Sequence, residues 1–115
     1  MPVDKSLLTG STTVLILKLL EEKDMYGYEM ISNLAQRSNH AFDLKAGTLY
    51  PLLHNLEKAG IVTSYEETAE NERTRKYYHL TEAGKGALRT KEQEWYAYAA
   101  AVNRVLKGGL CFGAG

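Results

Sequence analysis

The side chains best suited to chemistry in this sequence are hydrogen-bond donors and acceptors gathered in two short stretches. In the first, Thr48, Tyr50, Pro51, His54, Asn55 and Lys58 share the outward face of a segment whose Leu49, Leu52, Leu53 and Leu56 fall at i, i+3, i+4 and i+7. In the second, Arg73, Arg75 and Lys76 follow Glu66, Glu67, Glu70 and Glu72. An asparagine can pair with adenine or a phosphate, a histidine can donate or accept at a base edge, and a threonine can contact a phosphate or a thymine methyl. Arginine and lysine can meet the backbone or the minor groove. Together these are the groups that read duplex DNA. A plainer reading stays open for each: a polar helix face that is simply solvated, and acidic and basic limbs of a hairpin that pair across it.

Other chemistries are poorly served. His40, His54 and His79 lie 14 and 25 residues apart, with no His-x-x-x-His pair, no glycine-rich phosphate loop and no Gly-x-Ser-x-Gly elbow. Cys111 is the single cysteine, which excludes an intrachain disulfide and a cysteine-based zinc finger, and no base stands beside it in sequence. No enzyme, metal site or cofactor is expected. Fourteen Lys+Arg balance fourteen Asp+Glu, and no region is strongly one-signed, so any contact with DNA must be local rather than bulk electrostatic attraction. The longest apolar run, Val14 to Leu17, stops at Lys18, far short of the roughly 20 residues a membrane span needs. Asp4 and Lys5 precede no signal-peptide pattern, and a cytoplasmic, reducing location is expected.

The elements that would hold these groups can be read from periodicity. A first helix runs from Ser11 to about Lys23, capped by Ser11 or Thr12 and apolar nearly all round except at Lys18, which implies cover from more than one side and so a partner chain. Tyr26-Gly27-Tyr28 breaks and restarts the chain, and Ile31, Leu34 and Ala35 mark a second helix ending near His40. Tyr26 and Tyr28 are either core residues or phosphate donors. The third helix starts close to Ala46–Thr48, because Pro51 lacks a backbone donor and is tolerated best near a first turn, and Gly60 ends it. Lys45 then stands at its start. Ile61 to Tyr65 and Arg75 to Leu80 are short strands around a polar tip, with Tyr77 and Tyr78 on opposite faces. Thr81 caps a last helix reaching about Lys107, about 40 Å long at about 1.5 Å per residue and longer than its own domain is wide. Along it Leu88, Trp95, Ala99, Val102 and Leu106 follow coiled-coil spacing, interrupted by Glu92, as a dimer seam would.

The expected fold is mainly α (α+β): a winged helix-turn-helix over 1–80 with a two-stranded β-wing, a long C-terminal dimerisation helix over 81–107, and a flexible tail over 108–115. The third helix would enter a major groove, with Tyr28, Lys45 and the wing cations fixing register on the backbone.

Four strings carry a closer resemblance: Tyr26-Gly27-Tyr28-Glu29, Gly47-Thr48-Leu49-Tyr50-Pro51-Leu52-Leu53, Leu56-Glu57-Lys58-Ala59-Gly60, and Arg75-Lys76-Tyr77-Tyr78-His79-Leu80-Thr81-Glu82-Ala83-Gly84. In this order and spacing, from about Val14 to Leu106, the chain resembles the PadR family of bacterial transcriptional regulators. The resemblance implies a homodimeric winged-helix repressor that binds an inverted-repeat operator and is released by a small aromatic or phenolic effector. The short C-terminal region is similar to the compact branch with multidrug-sensing members, in which a tryptophan on the last helix stacks on planar ligands at the dimer centre. Trp95 stands at the spacing of that tryptophan, fourteen residues after Thr81 of Leu-Thr-Glu, and Val14, Leu17 and Lys18 match the cavity wall; Lys18 could pair with an acidic effector. Trp95 filling the dimer core is the competing reading, and the alanine-rich segment after it departs from the multidrug pattern. A winged-helix module that contacts only proteins, through an acidic loop at Glu66–Glu72, is the alternative function.

Overall fold

The computed structural model describes residues 11–108, and the expected tail beyond Gly108 lies outside them. The first helix, α1 (Thr12–Glu22), has Ser11 as its N-cap and buries Thr12, Ile16, Leu17, Leu19 and Leu20. It packs against the second helix, the last helix and the sheet, so most of its apolar surface is covered within the chain. The inference that such a helix must borrow its cover from a partner is corrected: the long C-terminal helix folds back one end onto its own domain.

A two-residue strand, β1 (Met25–Tyr26), leads straight into α2 (Gly27–Arg37). Sequence periodicity does not reveal β1, because two residues carry no alternation. The second helix ends at Arg37 rather than near His40, since Asn39 and His40 take left-handed backbone at φ 55° and 65°. Ser38 fixes the following loop by donating its hydroxyl to the Ala35 carbonyl (3.3 Å) and accepting from the Phe42 amide (3.0 Å).

The third helix, α3 (Ala46–Lys58), contains Pro51 as its sixth residue, where the missing donor leaves the Gly47 carbonyl without its usual helical partner. Its end is a Schellman motif: Ile61 N–H reaches the Leu56 carbonyl (2.9 Å) and Gly60 N–H the Glu57 carbonyl (3.0 Å), with Gly60 at φ 77°.

Two seven-residue strands follow, β2 (Val62–Thr68) and β3 (Thr74–Leu80), in an antiparallel sheet of order β1-β3-β2. The wing is therefore longer than its apolar residues suggest. Pairing continues through Glu66↔Lys76, Glu67↔Arg75 and Thr68↔Thr74, of which sequence patterning assigns Glu66, Glu67, Thr68 and Thr74 to the loop. Leu80, Tyr78, Lys76 and Thr74 share one face with Val62, Ser64, Glu66 and Thr68, and the other face carries His79, Tyr77 and Arg75 with Thr63, Tyr65 and Glu67.

The last helix, α4 (Glu82–Lys107), starts at Thr81, whose hydroxyl accepts from the Gly84 amide (3.0 Å) and donates to the Gly60 carbonyl (2.7 Å). Gly84 lies so close to the Ile61 carbonyl that a Cβ would collide with it. One core joins the elements: Ile16, Leu17, Leu19 and Leu20 of α1, Met30 and Leu34 of α2, Leu49 and Leu53 of α3, and Val62, Tyr78, Leu80 and Leu88. Beyond Leu88 the helix leaves the core, which accounts for dimensions of 62 × 32 × 21 Å.

Candidate nucleic-acid interface

The outward face of α3 is built as its period requires. Leu49 and Leu53 are fully buried and Leu52 and Leu56 half-buried, while Thr48, His54, Asn55 and Lys58 are exposed along the opposite side. Lys45, the N-cap, has no capping side-chain bond at its helix and is well exposed, with its ammonium 3.1 Å from Asp43. Amides of the first turn together with this cation suit an anion such as a backbone phosphate.

Tyr50 has a second task. Its hydroxyl sits against Gly27 at the start of α2, where no side chain could be accommodated, and the ring is 39% exposed. Burial, and then the neighbouring Tyr28 and Tyr78, push its pKa up, so it stays a neutral donor. Tyr28 is 65% exposed beside it. The close fit of Tyr50 on a glycine brings α3 against the start of α2, the two helices of the helix-turn-helix. From the other end, Ser64 donates to the Glu57 carboxylate (2.6 Å) and ties α3 to the wing.

The wing cations part company. Arg73 is exposed in the tip, where its amide donates to the Asn71 side chain (3.1 Å). Lys76 is exposed on the sheet face that α3 covers further down, 5.6 Å from the Tyr78 ring. Arg75 is on the opposite face, half-buried, with its guanidinium 4.4 Å above the Tyr26 ring. Thr48, Tyr50, His54, Asn55, Lys58 and Lys76 are thus presented on one side of the domain, with Arg73 at the tip, and Arg75 is not among them. The Glu66↔Lys76 and Glu67↔Arg75 register also sets a glutamate opposite two of the three wing cations.

The outer sheet face holds a cluster that residue spacing did not single out. Tyr65 and Tyr77 stack at 5.7 Å, Tyr26 meets Tyr77 edge-on at 5.5 Å, and Asp24 accepts from the Tyr65 hydroxyl (2.7 Å) and pairs with His79 Nδ1 (2.8 Å). The available signal was a tyrosine in each of the three strands, Tyr26, Tyr65 and Tyr77.

Two expectations on α1 and α4 are corrected. Leu17 is fully buried in the domain core; Leu88, expected in a dimer seam, is likewise fully buried in its own domain, because α4 packs on α1. Lys18 is already paired, with Glu21 at 2.9 Å and with Glu92 of α4 at 3.6 Å, and the Glu21 hydrogen bond foremost raises its pKa. Glu92, the apparent fault in the heptad pattern, is the partner of Lys18. Val14 is half-buried against the core, as are Ala99 and Val102 in their surroundings, whereas Trp95 is 42% exposed with its ring 6.0 Å from Tyr98, and Leu106 is 76% exposed. The groove that includes Lys18, about 250 Å³ between Leu15, Leu19, Leu34, Arg37 and Phe42, does not include Trp95.

A helix-turn-helix with a polar third helix, followed by a β-wing, defines a winged-helix DNA-binding protein. The model of the transcriptional regulator PadR-like family matches residues 16–90. The chain belongs to that family of DNA-binding regulators, which are not enzymes. It is 32% identical over 106 residues to an uncharacterised protein of Lysinibacillus sphaericus, covering 92% of this chain and 97% of that one. A transcriptional regulator from Clostridium thermocellum superposes with a TM-score of 0.79 at 32% identity, over 86% of this chain and 96% of that chain. A PadR-like transcriptional regulator from Bacillus cereus gives 0.78 at 28% identity, over 90% and 98%.

Proposed function

We propose that the protein is a homodimeric repressor that binds a pseudo-palindromic operator and is relieved by a small aromatic effector. The carrying observation is the distal half of α4, which leaves the domain with Trp95 42%, Tyr96 66%, Tyr98 61%, Val105 78% and Leu106 76% exposed. Apolar surface of that extent on a helix without a core beneath it among the described residues calls for cover, and a second α4 supplies it through Trp95, Ala99, Val102 and Leu106. Two domains joined this way offer two α3 helices to major grooves about 34 to 36 Å apart, or a multiple of that. Thr48, His54, Asn55 and Lys58 then read bases and phosphates from α3, with Tyr28, Tyr50 and Lys45 at its flank and Arg73 and Lys76 on the wing. Arg75 contributes from the rear of the wing through its hold on Tyr26. Repression follows from occupying the operator.

The effector reading rests on Trp95 and its tilted neighbour Tyr98, which offer aromatic faces to a planar compound where two copies meet. Val14 and Lys18 belong to that reading through α1, with the Lys18 ammonium released from Glu92 to pair with an acidic or phenolic group. Selection of bound duplexes from a random pool tests the DNA claim: an inverted repeat is expected, and equal recovery of unrelated sequences would contradict it. Quenching of the lone tryptophan by flat aromatic compounds tests the effector claim. Lys18→Met should weaken acidic quenchers selectively.

A further inference from the structure

Asp24 lies in the link between α1 and β1, and nothing in its sequence neighbourhood marks it out. In the fold it holds both limbs of the wing. One carboxylate oxygen accepts from the Tyr65 hydroxyl of β2 at 2.7 Å, and the other pairs with His79 Nδ1 of β3 at 2.8 Å. Its side chain is 33% exposed, so solvent screens these contacts only in part. Burial works against ionisation of this carboxyl, but the hydrogen bonds from Tyr65 and His79 outweigh it and hold its pKa below the ordinary value.

The position of this clasp is what gives it consequence. On the opposite sheet face the Glu57 carboxylate, from α3, accepts from Ser64 at 2.6 Å. The wing is gripped at its base from both faces, by α3 on one and by the α1–β1 link on the other. Past Tyr65 and Tyr77 the strands run on with exposed residues, apart from half-buried Arg75, to a tip carrying Arg73, and only two residues of β1 pair with β3. The three residues from Tyr65 to Thr68 extend about 10 Å, so a rotation of about 10° at the base displaces the tip by on the order of 2 Å. A shift of that size moves a cation out of hydrogen-bond range of a phosphate.

We propose that Asp24 is a positioning residue for DNA binding, setting the angle of the wing to α3 through Tyr65 and His79 so that Arg73 and Lys76 reach the backbone together with the third helix. The proposal rests on the DNA-binding reading above. Asp24 itself touches no DNA.

The test is a double-mutant cycle on the full chain, with a duplex selected by the unaltered protein. Asp24→Asn and Tyr65→Phe, the latter keeping the ring stack, should each weaken binding roughly tenfold at 0.1 M salt and flatten the dependence of log Kd on log salt, as lost phosphate contacts do. In a background with Arg73→Ala and Lys76→Ala, Asp24→Asn should add no further loss. Equal weakening in both backgrounds would show that Asp24 acts through general fold stability and would overturn the proposal, as would an unchanged Kd in either single variant. Failure of the unaltered protein to select any duplex would instead remove the DNA-binding reading, which keeps the two failures distinct.

Discussion

The exposed faces of α3 and of distal α4 are alike in being outward surfaces of helices and opposite in what they expose. The α3 face shows Thr48, His54, Asn55 and Lys58 over a floor of buried leucines, so its groups are held rigidly and are content in water. The α4 face shows Trp95, Val105 and Leu106 exposed, with no floor of buried side chains among the described residues. A hydrogen-bonding face on a packed helix awaits a polar ligand; an apolar face on an unpacked helix awaits its like. The first is suited to specificity and the second to assembly.

The largest expected effect comes from breaking the α4 side. Val105→Asp with Leu106→Asp should leave a folded monomer whose operator affinity falls roughly 10²- to 10⁴-fold, the loss expected when two linked half-sites become one. Sedimentation and mobility shift check both halves. Operator binding that survives in a proven monomer would erase the distinction between the two faces.

Leu88→Ala sharpens the boundary between them. Leu88 and Leu106 share the same heptad pattern, but Leu88 is fully buried in its own domain, so its truncation should cost about 3 kcal/mol of folding stability. In urea unfolding this appears as a shifted midpoint, with the dimer mass unchanged where the variant is folded. On the α3 side, Asn55→Ala should cost about 1 to 3 kcal/mol of discrimination at one base pair per half-site and leave stability alone. Competition with singly substituted operators measures it, and uniform weakening across sequences would reassign Asn55 to the backbone.

These contrasts also show what could be read without coordinates. Leu49, Leu53 and Gly60 made α3 legible, because period and terminator depend only on local backbone. The heptad spacing of α4 was equally visible, but spacing does not say whose core a leucine enters, and so Leu88 was assigned to a partner. Glu92 looked like a fault because its partner Lys18 is 74 residues away in sequence. Glu66 to Thr68 carry no strand signal, since an exposed wing strand alternates nothing apolar. Arg75 was grouped with Arg73 and Lys76 by adjacency, although a strand sends neighbours to opposite faces. Asp24 carried no signal at all: its role arises from Tyr65 and His79, 41 and 55 residues on.

The smallest effect concerns pH at the wing base. The Asp24 hydrogen bond, then burial and the Asp24 charge, push the Tyr65 pKa up to about 12. A folded value above the unfolded one means that this stabilisation is complete below the unfolded tyrosine range and is lost as pH rises through about 12. Asp24, with its folded pKa lowered, behaves in the opposite sense: its contribution is present above the unfolded carboxylate value and is lost as pH falls through the folded one. Tyrosine difference absorbance should show a phenol ionising at about pH 12 that Tyr65→Phe removes. An unaltered titration curve in that variant would place Tyr65 outside the clasp.

The most direct measurement is sedimentation equilibrium of the full chain at micromolar concentration, alone and with a selected duplex. A particle of twice 12.8 kDa that adds one duplex per two chains is the predicted result. A 12.8 kDa particle that gains no mass on adding duplex would contradict it.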